Sequence, residues 1–285
     1  MTTLRAMLRE GPPVFAPLVL NGLMARMAEE AGFSAIYLGG GASGYANTFT
    51  EANLSLTEMC QAGLEIGAAS RLPLILDGAC GWGDPMHIHR SIALAERAGF
   101  QAIEIEDQIL PKRAHHHIGI EHVIAPEEMA AKVREAVSVR QSPDFLIIAR
   151  TNAARMHGLD DALRRAELMA EAGADLLFVL SREPEELRAV AERFDLPLMY
   201  MPPAGGLAEA GLEKADLEVL RIRLVVDAQT PLLAMHRALR DCYAALREGA
   251  PDPLVGSSIA AENKALKHSV GLERLLEVER RTVER

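Results

Sequence analysis

The chain has 285 residues, 49% of them apolar and 25% charged, with a formal net charge of −10. That is slightly more than the roughly 250 residues of a (β/α)8 barrel; the acidic balance gives no basic footprint for a nucleic acid, yet leaves room for a local cationic pocket that takes an anionic substrate. No apolar stretch reaches the ~18 residues of a membrane span, Met1 opens a short polar segment without a signal-peptide core, and Cys60, Cys80 and Cys242 lack paired spacing, so a cytoplasmic protein with no nucleic-acid and no membrane partner is expected.

Eight strand-like apolar runs follow one another: Val14–Leu20, Ser34–Leu38, Leu74–Asp77, Ala102–Asp107, Phe145–Arg150, Asp175–Leu180, Leu196–Tyr200 and Arg221–Asp227. Segments with helical apolar spacing separate them. Three of the intervening helices end in Ala-Gly, at residues 31–32, 98–99 and 172–173; glycine there reads as a helix terminator in the left-handed region. Pro231–Arg247 reads as the eighth helix, and Gly249–Pro253 breaks the chain. Ser257–Arg285 reads as a further helical stretch, with an apolar stripe of Ile259, Leu266, Val270, Leu275, Leu276 and Val278. That stripe must be buried against its own barrel or a neighbouring subunit. Strand–helix alternation repeated eight times predicts a (β/α)8 TIM barrel over residues 1–250. Residues 251–285 form a helical extension of the same domain.

In such a barrel the chemistry lies at the C-terminal ends of the strands, where Asp77, Glu106, Asp107, Arg150 and Asp227 fall. Asp77 leads into the glycine-rich Gly78–Asp84, which suits a hard cation, or else a turn whose acid caps the next helix. Ala102–Asp107 alternates, placing Glu104 and Glu106 on one face. Directly after it come Lys112, Arg113, His115, His116 and His117. The cations suit a carboxylate or phosphate, and the histidines suit proton transfer near neutrality. Adjacent histidines in an extended loop diverge, which is poor zinc geometry. A buried run delivers Arg150, paired to Glu106 or Asp107, or ready for a substrate carboxylate. Tyr37-Leu38-Gly39-Gly40-Gly41 reads as a glycine-rich turn that forms an anion-binding nest, or as a flexible turn.

Taken together, these blocks resemble the isocitrate lyase/phosphoenolpyruvate mutase superfamily over almost the whole chain. The motifs occur in order: Tyr37-Leu38-Gly39-Gly40-Gly41, the Asp77–Gly83 turn, Glu106-Asp107-Gln108 with Pro111-Lys112-Arg113, and Ala149-Arg150-Thr151-Asn152. The resemblance implies an α/β barrel, Mg2+ with Mn2+ as an alternative, and a small anionic carboxylate substrate of the 2-oxo or 2-hydroxy class. It also implies a homotetramer or homodimer with a C-terminal helix swapped between barrels. Asp77 matches the direct metal ligand and Glu106 a ligand through water. Arg150 matches the carboxylate clamp, Tyr37, Gly40 and Gly41 the substrate loop, and Lys112, Arg113 and His116 the lyase gating loop Lys-Arg-Cys-Gly-His.

Departures from that pattern shape the expectation. Ala79 stands where the family carries a second aspartate, and Ala114 where the lyases carry a cysteine. Asn152 replaces an aspartate, and the lyases' acidic residue after strand six has no clear counterpart, since Val179-Leu180-Ser181 follows Phe178. The reading is a Mg2+-dependent carbon–carbon lyase on a 2-hydroxy or 2-oxo di- or tricarboxylate, working through an enolate-like intermediate. Asp77 and Glu106 hold the metal, Arg150 and Arg113 bind the substrate, and His116 or His115 supplies the proton with Lys112 beside it. An oxaloacetate-type decarboxylase, a phosphonomutase and a non-catalytic carboxylate-binding barrel are the alternatives.

Overall fold

The computed structural model describes residues 2–181 and 183–284. Its eight strands are β1 (Val14–Pro17), β2 (Ile36–Leu38), β3 (Leu74–Asp77), β4 (Ala102–Glu106), β5 (Leu146–Thr151), β6 (Leu176–Val179), β7 (Leu198–Tyr200) and β8 (Ile222–Asp227). All pair in parallel, in the order β1-β8-β7-β6-β5-β4-β3-β2. The ring is nearly closed: a single bridge joins Leu18 to Tyr37, with Val19 N donating to Tyr37 O at 2.8 Å. Strand β3 coincides with its apolar run and β5 is as long as its own, one residue further on; the other six strands are shorter than the runs that announce them. Apolar character marks buried chain, whereas a ladder also needs a hydrogen-bonded neighbour.

Side-chain alternation separates two cores. Val14, Tyr37, Ile75, Leu146, Ile148, Leu176, Phe178, Leu224 and Val226 fill the barrel interior. Ile36, Leu38, Leu74, Leu76, Ile103, Ile105, Ile147 and Leu177 face the surrounding helices. The predicted helix-ending glycines behave as expected, with Gly32, Gly99 and Gly173 at φ +88°, +90° and +99°.

A short helix, Leu4–Glu10, was not legible in the sequence. It is capped by Thr3 and contributes Leu4 and Leu8 to the inner core. Arg5 ties it to Asp175 at 2.8 Å, and the Arg223 guanidinium donates to Leu8 O at 2.9 Å. It plugs the barrel at the end opposite the strand C-termini.

The eighth helix, Thr230–Arg247, contains no buried residue, and Leu239, Tyr243 and Leu246 are exposed. The C-terminal stretch is two helices, Ile259–Ser269 and Leu272–Thr282. Gly271, at φ +72°, divides them. All six residues of the expected stripe are exposed on this single chain, from Val278 at 39% to Ile259 at 58%. The extension touches its own barrel near helix Gly22–Glu30, where Ser269 Oγ donates to Glu30 at 3.0 Å.

Candidate active site

The inward register of the strands builds the floor of the site. Asp77 lies two residues beyond the interior Ile75. Glu104 and Glu106 share the face of Ala102, and Arg150 follows Leu146 and Ile148. Arg150 Nη1 donates to Glu104 Oε1 at 2.7 Å, and Nε donates to Asn152 Oδ1 at 2.9 Å. Glu106 Oε2 is 3.4 Å from Arg150 Nε and accepts from Asn152 Nδ2 at 2.6 Å. The guanidinium also lies over Phe178, 5.0 Å from the ring centre. Arg150 is therefore paired to Glu104 and Glu106, not Asp107. Asp107 has the opposite parity and turns outward, accepting from Thr151 Oγ1 at 2.6 Å, Asn152 N at 3.0 Å and Arg165 at 3.3 Å.

Tyr37 is fully buried beneath this floor and donates its hydroxyl to Glu104 Oε2 at 3.0 Å. Burial, with the neighbouring Asp77 weakening the partly compensating pull of Arg150, pushes Glu104 up to about 7. Asp77 accepts from Gly40 N at 2.8 Å and from Ala79 N at 3.1 Å. The expected glycine-rich turn is instead the start of a helix, Gly40–Ala46, whose first N–H is committed to Asp77. Gly40 has another constraint: a Cβ there would lie 2.9 Å from the Glu51 side chain. Asp227 caps the Thr230–Arg247 helix, accepting from Gln229 N at 3.1 Å and Thr230 N at 2.8 Å.

Glu51 was missed in the sequence. It sits in a one-turn helix, Glu51–Asn53, with no periodicity to mark it, yet it is buried at the mouth. Lys112 Nζ lies 2.6 Å from Glu51 Oε2 and also pairs with Glu106 Oε1. One ammonium cannot neutralise a cluster that also includes Asp77. Burial opposes charge on Glu106, but Lys112 and Arg150 outweigh it and hold that carboxyl down to about 2. Burial, reinforced by Asp77 and opposed by Lys112, pushes Glu51 up to about 8.

The segment after β4 is pinned at its neck by a bridge between Gln108 and Val123. Its tip is a 3-10 turn, Ala114–Ile118, rather than an extended loop. The three histidines take separate partners. His115 is exposed and lies 3.2 Å from His122. His117 Nδ1 is 2.7 Å from Tyr45 Oη. His116 Nδ1 is 2.6 Å from Arg113 O; a carbonyl only accepts, so Nδ1 carries the hydrogen. Its Nε2 then faces Glu51 Oε2 at 3.6 Å. Burial lowers the affinity of both His116 and His117 for a proton. Arg113 is exposed and reaches the site only through its carbonyl. Gln108 donates to Glu121, a second buried acid not foreseen, which stands 3.6 Å from Arg155.

Asp77, Glu106 and Glu51 form an all-oxygen donor set, the kind that suits Mg2+ or Mn2+. Glu51 Oε1 is buried without a hydrogen-bond partner among the described residues, as an atom left for a cation would be. In the arrangement present, Lys112 supplies the positive charge between Glu51 and Glu106. Among the described residues no three acids or histidines stand close enough to enclose a metal. The donor chemistry fits, provided that Lys112 withdraws.

Above the floor is a cavity of about 720 Å3. Its lining includes Asp77, Glu51, Gln108 and Arg150, the histidines His116 and His117 of the turn, and the apolar Leu180, Met201, Leu232 and Leu233. Gly41 borders it, whereas His115 and Arg113 are not among its lining residues. Such an arrangement can hold an anion on Arg150, place a proton on Glu51 or His116, and exclude water beneath the 3-10 turn.

Comparison with known proteins agrees with this geometry. Residues 4–247 match the family model of phosphoenolpyruvate phosphomutase. The 2,3-dimethylmalate lyase of Eubacterium barkeri is 31% identical, covering 97% of this chain and 96% of that protein. The oxaloacetate decarboxylase of Bradyrhizobium diazoefficiens is 32% identical, covering 88% and 87%. Among solved structures, a phosphoenolpyruvate phosphomutase from Streptomyces platensis subsp. rosaceus superposes with a TM-score of 0.88 at 27% identity, covering 98% of both chains. A phosphonopyruvate hydrolase in complex with oxalate and Mg2+ gives 0.85 at 29% identity, again with 98% of each covered. The chain belongs to the phosphoenolpyruvate phosphomutase family, within the phosphoenolpyruvate mutase/isocitrate lyase superfamily.

Proposed function

We propose that this enzyme is a Mg2+-dependent carbon–carbon lyase acting on a small 2-hydroxy or 2-oxo di- or tricarboxylate through an enolate-like intermediate. The observation that carries the reading is the gathering of Asp77, Glu106 and Glu51 with Arg150 at one end of the barrel, under a histidine-bearing turn. The 2,3-dimethylmalate lyase that aligns along nearly the whole chain supports it, as does the phosphonopyruvate hydrolase solved with oxalate and Mg2+.

Asp77, Glu106 and Glu51 would hold the cation, Mg2+ or Mn2+. Bound there, it would supply the charge that steadies a developing enolate. Arg150, oriented by Glu104 and Asn152, clamps a substrate carboxylate. Proton transfer falls to His116, whose Nε2 lies 3.6 Å from Glu51 Oε2 at the mouth of the site. Lys112 would release Glu106 to the cation, and the 3-10 turn keeps water from the reacting carbon. Two or four copies assemble with the C-terminal stripe covered.

The test is a screen of 2,3-dimethylmalate, 2-methylisocitrate and oxaloacetate for release of an oxo acid, with Mg2+ and with EDTA. Metal-dependent release from a hydroxy acid supports the lyase; no release from any of them overturns it. Ala114, which removes the thiol from the turn, favours oxaloacetate decarboxylation as the second reading, since solvent can protonate the enolate left by CO2. Carbon dioxide release from oxaloacetate that persists in His116→Ala distinguishes it.

A further inference from the structure

We propose that Trp82 is a positioning residue: it ties the one-turn helix that carries Glu51 to the turn that follows Asp77, and so sets the spacing of two carboxylates that face the cation. The inference rests on the metal assignment proposed above. Trp82 is the chain's single tryptophan and is partly buried. Its indole Nε1 donates to Leu54 O at 3.1 Å. Leu54 N in turn donates to Glu51 O at 2.9 Å. Both Trp82 and Leu54 pack against the helix-facing core.

The two segments are held very differently. In the turn after Asp77, three successive carbonyls are pinned: Ala79 O accepts from Glu106 N at 2.8 Å, Cys80 O from the buried Lys132 ammonium at 3.0 Å, and Gly81 O from Ser91 Oγ at 2.8 Å. The Glu51–Asn53 helix has no side-chain cap, and its backbone bonds are local, with Asn53 N donating to Thr50 O at 3.0 Å. The Glu51 side chain is paired with Lys112, a contact that a bound cation would replace. A bond from the pinned turn to the lighter helix therefore fixes the helix, and it persists when Lys112 withdraws. The backbone of Trp82 is a second observation. Its φ is +58°, a region that a bulky side chain rarely enters. Glycines stand on both sides of it, and glycine takes that conformation freely. An aromatic residue kept there at a conformational cost marks a place where the ring has a task.

Two variants of the full chain test it. Trp82→Phe keeps a ring and removes the donor. Trp82→benzothienylalanine removes the N–H alone and keeps the shape, which guards against misfolding. In EDTA, hydrogen exchange read by mass spectrometry should accelerate about tenfold over residues 50–56 in both, while β4 and β5 keep their protection. Calorimetric titration with Mg2+ should show affinity weakened about tenfold. Unchanged exchange over residues 50–56 would overturn the proposal. Accelerated exchange with Mg2+ affinity equal to that of the wild type would overturn it too, as would loss of protection in β4 and β5, which would assign Trp82 to the fold at large. Accelerated exchange in the variants, with no Mg2+ uptake by the wild-type protein, counts against the metal assignment and leaves the tie between Trp82 and the Glu51 helix standing.

Discussion

Glu104 Oε1 accepts a hydrogen bond from Arg150 Nη1 at 2.7 Å in the barrel interior, directly beneath the cavity. This contact fixes the plane of the guanidinium, and with it the direction of the edge offered to a substrate. Glu104→Gln keeps the shape but weakens the charge-assisted bond, and Arg150→Lys removes the planar fork. We expect kcat/KM to fall about ten- to a hundredfold in each, mainly through KM. Steady-state kinetics with unchanged KM in both variants would show that Arg150 is structural only.

Asp77 receives its hydrogen bonds from Gly40 N and Ala79 N, both in segments at the mouth. Asp77→Ala should abolish the response to divalent ions and the activity, while the melting temperature shifts by only about 2–4 °C. Calorimetric Mg2+ titration and thermal melts check both halves. Full Mg2+-dependent activity in the variant would remove Asp77 from the metal assignment.

Glu51, held up to about 8, and Glu104, at about 7, both lie above the roughly 4.3 of an unfolded glutamate. The folded chain therefore holds protons that the unfolded chain has released. The stability they contribute is complete below about pH 4.3 and is lost as the pH rises toward 8. In EDTA the melting temperature should decline over that window, and Glu51→Gln and Glu104→Gln should each flatten the decline. Melts whose slope is the same in wild type and both variants would contradict this.

His116 faces Glu51, whereas His115 is paired with His122 away from the cavity. His116→Ala should lower kcat by about 10²-fold or more, and His115→Ala should leave it within about twofold. Loss of activity in His115→Ala alone would mean that the turn rearranges in the working enzyme.

The exposed stripe from Ile259 to Val278 needs a cover. Removing residues 257–285 should reduce the assembly to smaller species or cause aggregation, read by light scattering. An unchanged, active oligomer would refute a role for the extension in assembly.

Much of the site was legible because strand parity is a strict rule. Asp77, Glu106 and Arg150 end apolar runs, and alternation through Glu104 put both acids of β4 on one face. What parity could not give was the pairing across strands. Arg150 reaches back to Glu104 because both point to the barrel axis, while Asp107, one residue beyond Glu106, turns outward. Glu51 escaped because a three-residue helix has no period, and Leu4–Glu10 is too short to declare a face. The break at Gly271 was hidden within a continuous helical pattern, where one glycine is tolerated as often as it terminates.

Packed side chains fill the barrel interior and the helix Leu4–Glu10 closes its far end, so the cavity at the strand C-termini does not continue through the barrel. A ligand cannot pass through it, so whatever enters over the Ala114–Ile118 turn must leave by the same route. For a reaction that yields two fragments, departure is then sequential. The fragment nearer the opening goes first, and the one seated on Arg150 waits behind it.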